Sequence, residues 1–226
     1  MKNKMILIVL ILLNSLLSFG QNEKDWTQFS KYDKANKEIK RPIKALFLGN
    51  SITEGWQNSD STFFLKNSYI GRGISGQVTS QMLVRFRADV INLKPKVVVI
   101  LAGTNDIALN NGYITIQHIL ENIVSMSELA KINKIKVVLC SVLPAHHYPW
   151  REGVESIKLI KELNKKISDY AKKNKIPYAD YYKVMVDARM GLDPKYQKDE
   201  VHPNLEGYKV MERVIQNILN NKTSKR

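Results

Sequence analysis

Cysteine is almost absent from this chain of 226 residues, with a single copy at Cys140, so an internal disulfide is excluded. Cysteine and histidine do not occur at spacings that predict a zinc site. The sequence has no internal repeat, which argues against solenoid architectures. Beyond the N-terminus, no apolar run reaches the roughly 18 residues of a membrane-spanning helix. A hydrophobic content of 44% excludes wholesale disorder, so we expect one globular domain of ordinary size.

The N-terminus has the pattern of a secretory signal peptide. Lys2 and Lys4 form a positive region, an apolar run covers Met5–Leu13, and small residues precede a cleavage point after residue 20. An uncleaved membrane anchor is the alternative, but Asn14 interrupts a run that is already short for spanning. No cysteine lies near the cleavage point, which argues against a lipid anchor. We therefore expect residues 1–20 to direct export, which makes the protein periplasmic or secreted, without stable membrane insertion after cleavage.

Positive charge is in excess, with 35 Lys+Arg against 21 Asp+Glu and a formal net charge of +14. In an exported protein we do not take this excess as a sign of nucleic-acid binding, because the lysines between Lys158 and Lys173 follow an amphipathic pattern without interleaved aromatics. A solvated helix face is the favoured interpretation. Attraction to anionic glycans or lipid headgroups is the alternative.

Strand-like and helix-like patterns alternate along residues 43–222. A polar, amphipathic segment precedes them (residues 21–42, helical from Asp25 to Ile39), and it is expected to pack on the domain through Trp26, Phe29 and Tyr32. The predicted strands are Ile43–Gly49, Ser68–Ile70, Val97–Ala102, Lys136–Leu143 and Tyr178–Tyr181, and the predicted helices are Val78–Leu93, Ile114–Ile132, Val154–Asn174 and Asn204–Asn220. Strands that are apolar on both faces predict a parallel sheet covered by helices, and hence a doubly wound α/β domain.

Polar residues follow the strands, at the edge where functional groups of such sheets collect. Gly49-Asn50-Ser51 ends the first strand, Gly103-Thr104-Asn105-Asp106 ends the third, and Asp199 and His202 precede the last helix. Each has a simpler explanation: Ser51 as a helix N-cap, Asn105 and Asp106 as turn residues, His202 as a structural histidine. Together they fit acyl transfer, because a serine hydroxyl needs an imidazole to take its proton and a carboxylate to orient that imidazole.

Four short sequence blocks resemble those of the SGNH, or GDSL-type, hydrolases. The blocks are Gly49-Asn50-Ser51, Gly73-Ile74-Ser75-Gly76, Gly103-Thr104-Asn105-Asp106 and Asp199 with His202. The resemblance implies a single three-layer α/β/α domain with a flavodoxin-like parallel sheet of about five strands. It also implies that Ser51 is the nucleophile, His202 the general base and then acid, and Asp199 its partner. The implied oxyanion hole consists of the main-chain N–H groups of Ser51 and Gly76 and the side chain of Asn105.

Two positions depart from the family pattern. Asn50 stands where the family has an aspartate before the serine, which removes a charge beside the nucleophile. Gly71 stands where the second block often has asparagine, which reduces the expected support of the backbone there. Neither position carries a catalytic role in the resemblance.

Other motifs lead to weaker interpretations. Gly71-x-Gly73-x-x-Gly76 satisfies the dinucleotide-binding pattern, but the acidic residue expected about 20 residues later is missing. The adjacent His146 and His147 lack the spacing and the third ligand of a metal site, so no metal is predicted. Cys140 lies within an apolar strand and is expected to be buried packing.

The sequence therefore predicts an exported serine esterase that needs no cofactor and acts through an acyl-enzyme on Ser51. The absence of an apolar lid insertion favours short acyl groups, with O-acetyl esters of carbohydrates as the preferred substrate class. His147 and Trp150 are candidates for lining the substrate cleft, and a plain polar loop is the alternative. The alternative functions are a lysophospholipase or thioesterase for longer acyl chains and a catalytically idle glycan-binding module on the same fold.

Overall fold

The computed structural model describes residues 25–221, and the predicted signal peptide lies outside this range. Its centre is a five-stranded, wholly parallel sheet in the order β2-β1-β3-β4-β5. The strands are β1 (Ala45–Gly49), β2 (Tyr69–Gly73), β3 (Val97–Ile100), β4 (Lys136–Cys140) and β5 (Tyr178–Ala179). The helices are α1 (Ser30–Glu38), α2 (Ser51–Ser59), α3 (Ser61–Lys66), α4 (Thr79–Phe86), α5 (Thr104–Ile107), α6 (Ile116–Ile132), α7 (Ser156–Lys173), α8 (Tyr181–Met185) and α9 (Leu205–Asn221), with a short 3-10 turn at Pro194–Tyr196.

Two apolar cores, one on each face of the sheet, hold the three layers together. Alternate side chains of β1 enter opposite cores, because successive residues of a strand point to opposite faces. Leu46 and Leu48 belong to the core that includes α4, α6 and α7, whereas Phe47 belongs to the core that includes α2, α3 and α9. In the second core Trp56 meets Phe47 edge to face at 5.3 Å and stacks on Tyr208 at 5.9 Å. The predicted single three-layer domain with a parallel sheet of five strands is confirmed.

The helix predicted at Val78–Leu93 is not uniform. It forms α4 and then widens into a π-helical turn, Arg87–Ile91. That turn carries Asp89, which is buried and forms an ion pair with Arg85 at 2.8 Å. A hydrophobic pattern cannot reveal such a turn, because π-helical turns depend on local contacts.

The N-terminal segment is helical only from Ser30, and not from Asp25 as predicted. The Asp25 carboxylate accepts the N–H groups of Phe29 and Ser30 at 2.9 Å each, which satisfies amides at the start of α1. Trp26 and Phe29 remain 43% and 39% exposed, so the predicted apolar face that they share with Tyr32 is wrong. The segment contacts the domain mainly through polar groups.

The outer ends of three predicted strands are also shorter than predicted. β3 ends at Ile100, β4 at Cys140 and β5 at Ala179, each two or three residues before the predicted end. The residues that follow leave the sheet and form the loops at its carboxyl edge. These loops are apolar because their residues are buried, as Val142 and Leu143 after β4 are.

Candidate active site

Ser51 lies at the carboxyl end of β1, as the first residue of α2. The N-cap of that helix is Asn50, whose Oδ1 accepts the N–H of Ile52 at 3.1 Å. The alternative role for Ser51, that of N-cap, therefore belongs to Asn50. The Ser51 hydroxyl faces His202, and its Oγ lies 2.8 Å from the His202 Nε2. Its main-chain N–H is at the first helical position, where no acceptor exists within the helix.

Asp199 and His202 share the loop between the 3-10 turn and α9. The Asp199 Oδ2 lies 2.8 Å from the His202 Nδ1, and its Oδ1 accepts the main-chain N–H of His202 at 2.8 Å. A carboxylate beside Nδ1 favours the tautomer with the proton on that nitrogen, which leaves Nε2 as the acceptor for the Ser51 hydroxyl. An alcohol bonded in this way can be activated as a nucleophile.

Hydrogen bonds favour the ionised form of the Asp199 carboxyl. Partial burial acts to raise the pKa of its carboxyl, but hydrogen bonds from His202 and from the Val201 N–H outweigh burial and hold that pKa below its usual range. Asp199 therefore stays ionised at neutral pH, in the state that orients an imidazole.

A tight turn, Ile74–Gln77, places Gly76 just after β2. The Gln77 N–H donates to the Ile74 carbonyl at 3.2 Å, and Gly76 occupies the third position with φ 77°. That position of a type II turn requires a positive φ, which favours glycine. A Cβ at Gly76 would meet nothing within 4 Å beyond its chain neighbours, so the space beside it is open. Within residues 25–221, the Gly76 N–H has no hydrogen-bond acceptor.

Asn105 lies on α5, the short helix after β3. Gly103, with φ 116°, turns the chain into this helix, and a Cβ there would lie 2.6 Å from the Leu163 Cδ2. The Asn105 side chain is buried, and its Nδ2 donates to the main-chain carbonyl of Gln77 at 3.0 Å. This bond uses one amide hydrogen and leaves the second as a donor. It also joins Asn105 to the turn that carries Gly76.

Asp106 ties α5 to the start of α4. Both oxygens of its buried carboxylate accept the N–H of Thr79 at 3.0 Å, and the Thr79 hydroxyl donates to Oδ1. Burial raises the pKa of Asp106 to about 6, although the bonds from Thr79 act in the opposite direction. Asn105 and Asp106 are therefore more than turn residues, because each connects α5 to another part of the same sheet edge.

Arg85 organises this edge, although no sequence motif marks it. Its side chain is completely buried and donates to the carbonyls of Gly49 at 3.0 Å and Arg72 at 2.9 Å, and to the Gln77 Oε1 at 2.6 Å. Asp89, four residues later, balances its charge at 2.8 Å. An arginine in an amphipathic helix is ordinarily expected at the surface, so sequence reasoning missed this residue. The available signal was an Arg–Asp pair at i and i+4 on the apolar side of the helix.

Trp150 and His147 lie on the loops that surround this arrangement. The Trp150 ring is 44% exposed, its centre lies 6.3 Å from that of the His202 ring, and its Nε1 donates to the Asn110 Oδ1 at 2.9 Å. The His147 Nε2 lies 3.0 Å from the Glu200 carboxylate, and both side chains are largely exposed. The structure thus brings Trp150 beside the His202 ring. His147 contacts Glu200, which lies in the loop of Asp199 and His202.

Two other features concern residues 25–221 as a whole. In this range no group of three or more His, Cys, Asp or Glu side chains could hold a metal ion. No helix in the same range combines the length and apolar character needed to cross a bilayer. Cys140 is free and buried, and burial raises the pKa of its thiol to about 12.

The model of the GDSL-like Lipase/Acylhydrolase family matches residues 47–210, a range that contains every residue predicted for the triad and the oxyanion hole. The chain belongs to this family. It is accordingly a carboxylic ester hydrolase of the GDSL type, and the resemblance drawn from the four sequence blocks is confirmed.

Solved structures of this GDSL-type hydrolase's relatives share its fold. A GDSL-like lipase from Bacteroides thetaiotaomicron is 48% identical, with a TM-score of 0.85 over 88% of this chain and 100% of that one. A protein named as an acylhydrolase from Bacteroides fragilis is 49% identical, with a TM-score of 0.86 over 88% and 99% of the two chains. The lipoprotein YqeF of Bacillus subtilis is 27% identical over 54% of this chain, and the match spans 58% of that relative's length.

Proposed function

We propose that this GDSL-type hydrolase is an exported serine esterase that removes short acyl groups, such as acetyl groups on carbohydrates, through an acyl-enzyme on Ser51. The observation that carries the proposal is the continuous chain from the Ser51 Oγ to the His202 Nε2 and from the His202 Nδ1 to the Asp199 Oδ2, each step 2.8 Å. Export through residues 1–20 rests on the signal-peptide pattern and accords with the similarity to a named lipoprotein.

In the acylation step, the Ser51 Oγ forms a bond to the ester carbonyl carbon while its proton passes to the His202 Nε2. The imidazolium that results is stabilised by the ionised Asp199. The tetrahedral intermediate then collapses, and the bond to the alcohol oxygen breaks. The proton on Nε2 goes to that oxygen, so the alcohol leaves neutral.

The negative oxygen of the intermediate needs donors already in place. The N–H of Ser51 at the start of α2, the unpaired N–H of Gly76 and the second amide hydrogen of Asn105 supply them in this proposal. The α2 N-terminus adds a favourable dipole. The bond from the Asn105 Nδ2 to the Gln77 carbonyl supports this assignment, because it holds Asn105 against the turn of Gly76.

Deacylation repeats the chemistry with water. The His202 Nε2 takes a proton from water as its oxygen attacks the acyl carbon, and the Ser51 Oγ leaves with that proton. Every proton transfer in the cycle takes place at Nε2, so no metal or organic cofactor is needed.

The exposure of the site supports short acyl groups on bulky polar alcohols. The Asp199 side chain is 52% exposed, Trp150 is 44% exposed, and the space beside Gly76 is open. A long acyl chain gains most from an enclosed apolar tunnel, whereas a sugar needs an open surface. Trp150 offers such a surface beside His202, since an indole presents an apolar face and a polar edge. His147 is assigned to the rim of the same cleft.

The test is hydrolysis of p-nitrophenyl acetate, butyrate and octanoate and of acetylated xylo-oligosaccharides by the protein and by Ser51→Ala. We expect activity to fall with acyl-chain length and the substitution to lower kcat by about 10⁴-fold or more, with an unchanged melting temperature. Ser168→Ala, a serine on α7, is the matched control and should keep full activity. Substantial activity in Ser51→Ala would contradict the assignment of the nucleophile.

The ester panel also separates the alternatives. A preference for octanoate would favour the lysophospholipase or thioesterase function and contradict the short-acyl proposal. Binding of the oligosaccharide without hydrolysis of any ester would favour an idle glycan-binding module.

A further inference from the structure

The loop Gly73–Gln77, which carries Gly76, is contacted from outside the sheet by the N-terminal segment, residues 26–36. We propose that this segment positions the loop for oxyanion stabilisation, with Tyr32 and Lys31 as positioning residues of the reaction. The inference rests on the proposed esterase function. It extends the site to a segment that precedes the residues matched by the family model, 47–210.

Tyr32 holds the first residue of the loop. Its hydroxyl donates a hydrogen bond to the Gly73 carbonyl, and its ring lies 4.6 Å from the Arg72 guanidinium carbon, within cation–π distance. Burial, followed by the charge of Glu54, raises the pKa of Tyr32 to about 12, so the hydroxyl remains a donor at any physiological pH. The carbonyl of Gly73 is therefore fixed by a group 41 residues earlier in the chain.

Lys31 holds the middle of the loop through Glu54. The Glu54 Oε2 accepts the Ser75 N–H at 2.8 Å and the Ser75 hydroxyl at 2.7 Å, while the Lys31 ammonium contacts Oε1. Partial burial acts to raise the pKa of Glu54, but the bonds from Lys31 and Ser75 outweigh it and lower that pKa. Lys31 thus favours the ionised form of Glu54 and holds its carboxylate in the position that binds the residue next to Gly76.

Gln77 holds the end of the loop between the segment and Asn105. Its Nε2 donates to the Thr27 carbonyl at 2.7 Å, and its Oε1 accepts from the Arg85 Nε at 2.6 Å. Its main-chain carbonyl accepts from the Asn105 Nδ2 at 3.0 Å. All three contacts are buried, so breaking any one of them would leave a buried polar group without a partner and destabilise the loop.

These contacts fix the polar groups of the loop and leave the Gly76 N–H as its free donor within residues 25–221. Oxyanion donors are effective when they need no reorganisation during the reaction. The segment is therefore placed to act on kcat through the position of Gly76, without touching the substrate.

The test compares Tyr32→Phe and Lys31→Met with two controls in the same enzyme. Tyr113→Phe removes a hydroxyl from a tyrosine that is 83% exposed. Lys34→Met removes a charge one turn further along α1, where the exposed lysine lies 4.0 Å from Glu38. Each test variant is expected to lower kcat about 10-fold, because small displacements of catalytic groups are costly, with KM within about twofold of the parent. The controls should keep the parental kcat and KM.

A second readout does not depend on turnover. Amide hydrogen exchange of residues 73–78 is expected to be faster in Tyr32→Phe and Lys31→Met than in the parent and the two controls. A lower melting temperature in both test variants with parental kcat and parental exchange would overturn the inference, since the segment would then be merely structural. Equal ester hydrolysis by the parent and by Ser51→Ala would instead contradict the proposed function. Accelerated exchange in the two test variants would still support the role of the segment in holding the loop.

Discussion

The two halves of the site are built in different ways. The half around Gly76 and Asn105 is held by buried charged and polar groups from distant parts of the chain, with Arg85 and Gln77 at its centre. The half around Asp199 and His202 is local and exposed. There the Asp199 carboxylate binds the main-chain N–H and ring of a residue three positions later, and the Lys198 N–H donates to the His202 carbonyl at 2.8 Å.

The difference follows from what each half must do in the proposed reaction. Donors for a developing oxyanion must be fixed before charge appears, and only a surrounding network can fix main-chain N–H groups from separate loops. A proton-transferring imidazole needs one carboxylate and one alcohol, and a single turn of chain provides the carboxylate. Removing a group from the local half should therefore abolish chemistry, whereas loosening the network should reduce it in steps.

The largest effect is expected from the local half. His202→Ala removes the base and should lower kcat by about 10⁴- to 10⁶-fold, and Asp199→Asn should lower it by about 10⁴-fold through loss of the correct tautomer. Both residues are partly exposed, so unfolding midpoints should change little. Single-turnover kinetics with p-nitrophenyl acetate measures the loss. A decrease of less than tenfold in either variant would contradict the proposed proton pathway.

The network half should respond more moderately. Asn105→Ala removes one oxyanion donor and should lower kcat by about 10²- to 10³-fold. Asn164→Ala is the matched control, because this buried asparagine bonds the N–H and carbonyl of Val142 in the loop after β4 and has no bond to the turn of Gly76. Both variants should lose stability, and only Asn105→Ala should lose kcat per folded molecule. Equal kcat values for the two variants would show that Asn105 is structural.

The smallest effect is expected at the rim. The contact between the His147 Nε2 and the Glu200 carboxylate joins the loop after β4 to the loop of Asp199, but its two side chains are 52% and 38% exposed. Exposed pairs contribute about 0–1 kcal/mol, so a double-mutant cycle of His147→Gln and Glu200→Gln should give a coupling free energy below about 1 kcal/mol. We expect kcat to stay within about twofold for p-nitrophenyl acetate. A tenfold loss of kcat would place this pair inside the catalytic arrangement and blur the contrast between the halves.

The place of the motif residues in the fold could be predicted from the sequence, for physical reasons. Apolar strands and the polar residues that follow them are contiguous in sequence, so the order of the residues alone places Ser51, Asn105, Asp199 and His202 at one sheet edge. Asn50, which stands where the resembling family has aspartate, still supplies the oxygen that caps α2, because an amide carbonyl accepts the Ile52 N–H as a carboxylate would.

The groups that support Gly76 and Asn105 could not be predicted in the same way. Arg85 and Tyr32 act through contacts with residues 36 and 41 positions away, and neither belongs to a motif. An arginine and a tyrosine in amphipathic patterns have many permitted environments, and only the packed structure selects one. The error at Trp26 and Phe29 has a related cause, because the Asp25 carboxylate delays the start of α1 beyond the two aromatic residues.

The most direct test of the account is covalent labelling with a p-nitrophenyl alkylphosphonate, followed by mass spectrometry of the digested protein. The account predicts one adduct per molecule, on Ser51, formed more slowly in Asn105→Ala and absent from Ser51→Ala. An adduct on any other residue, or equal labelling of the parent and Ser51→Ala, would contradict it.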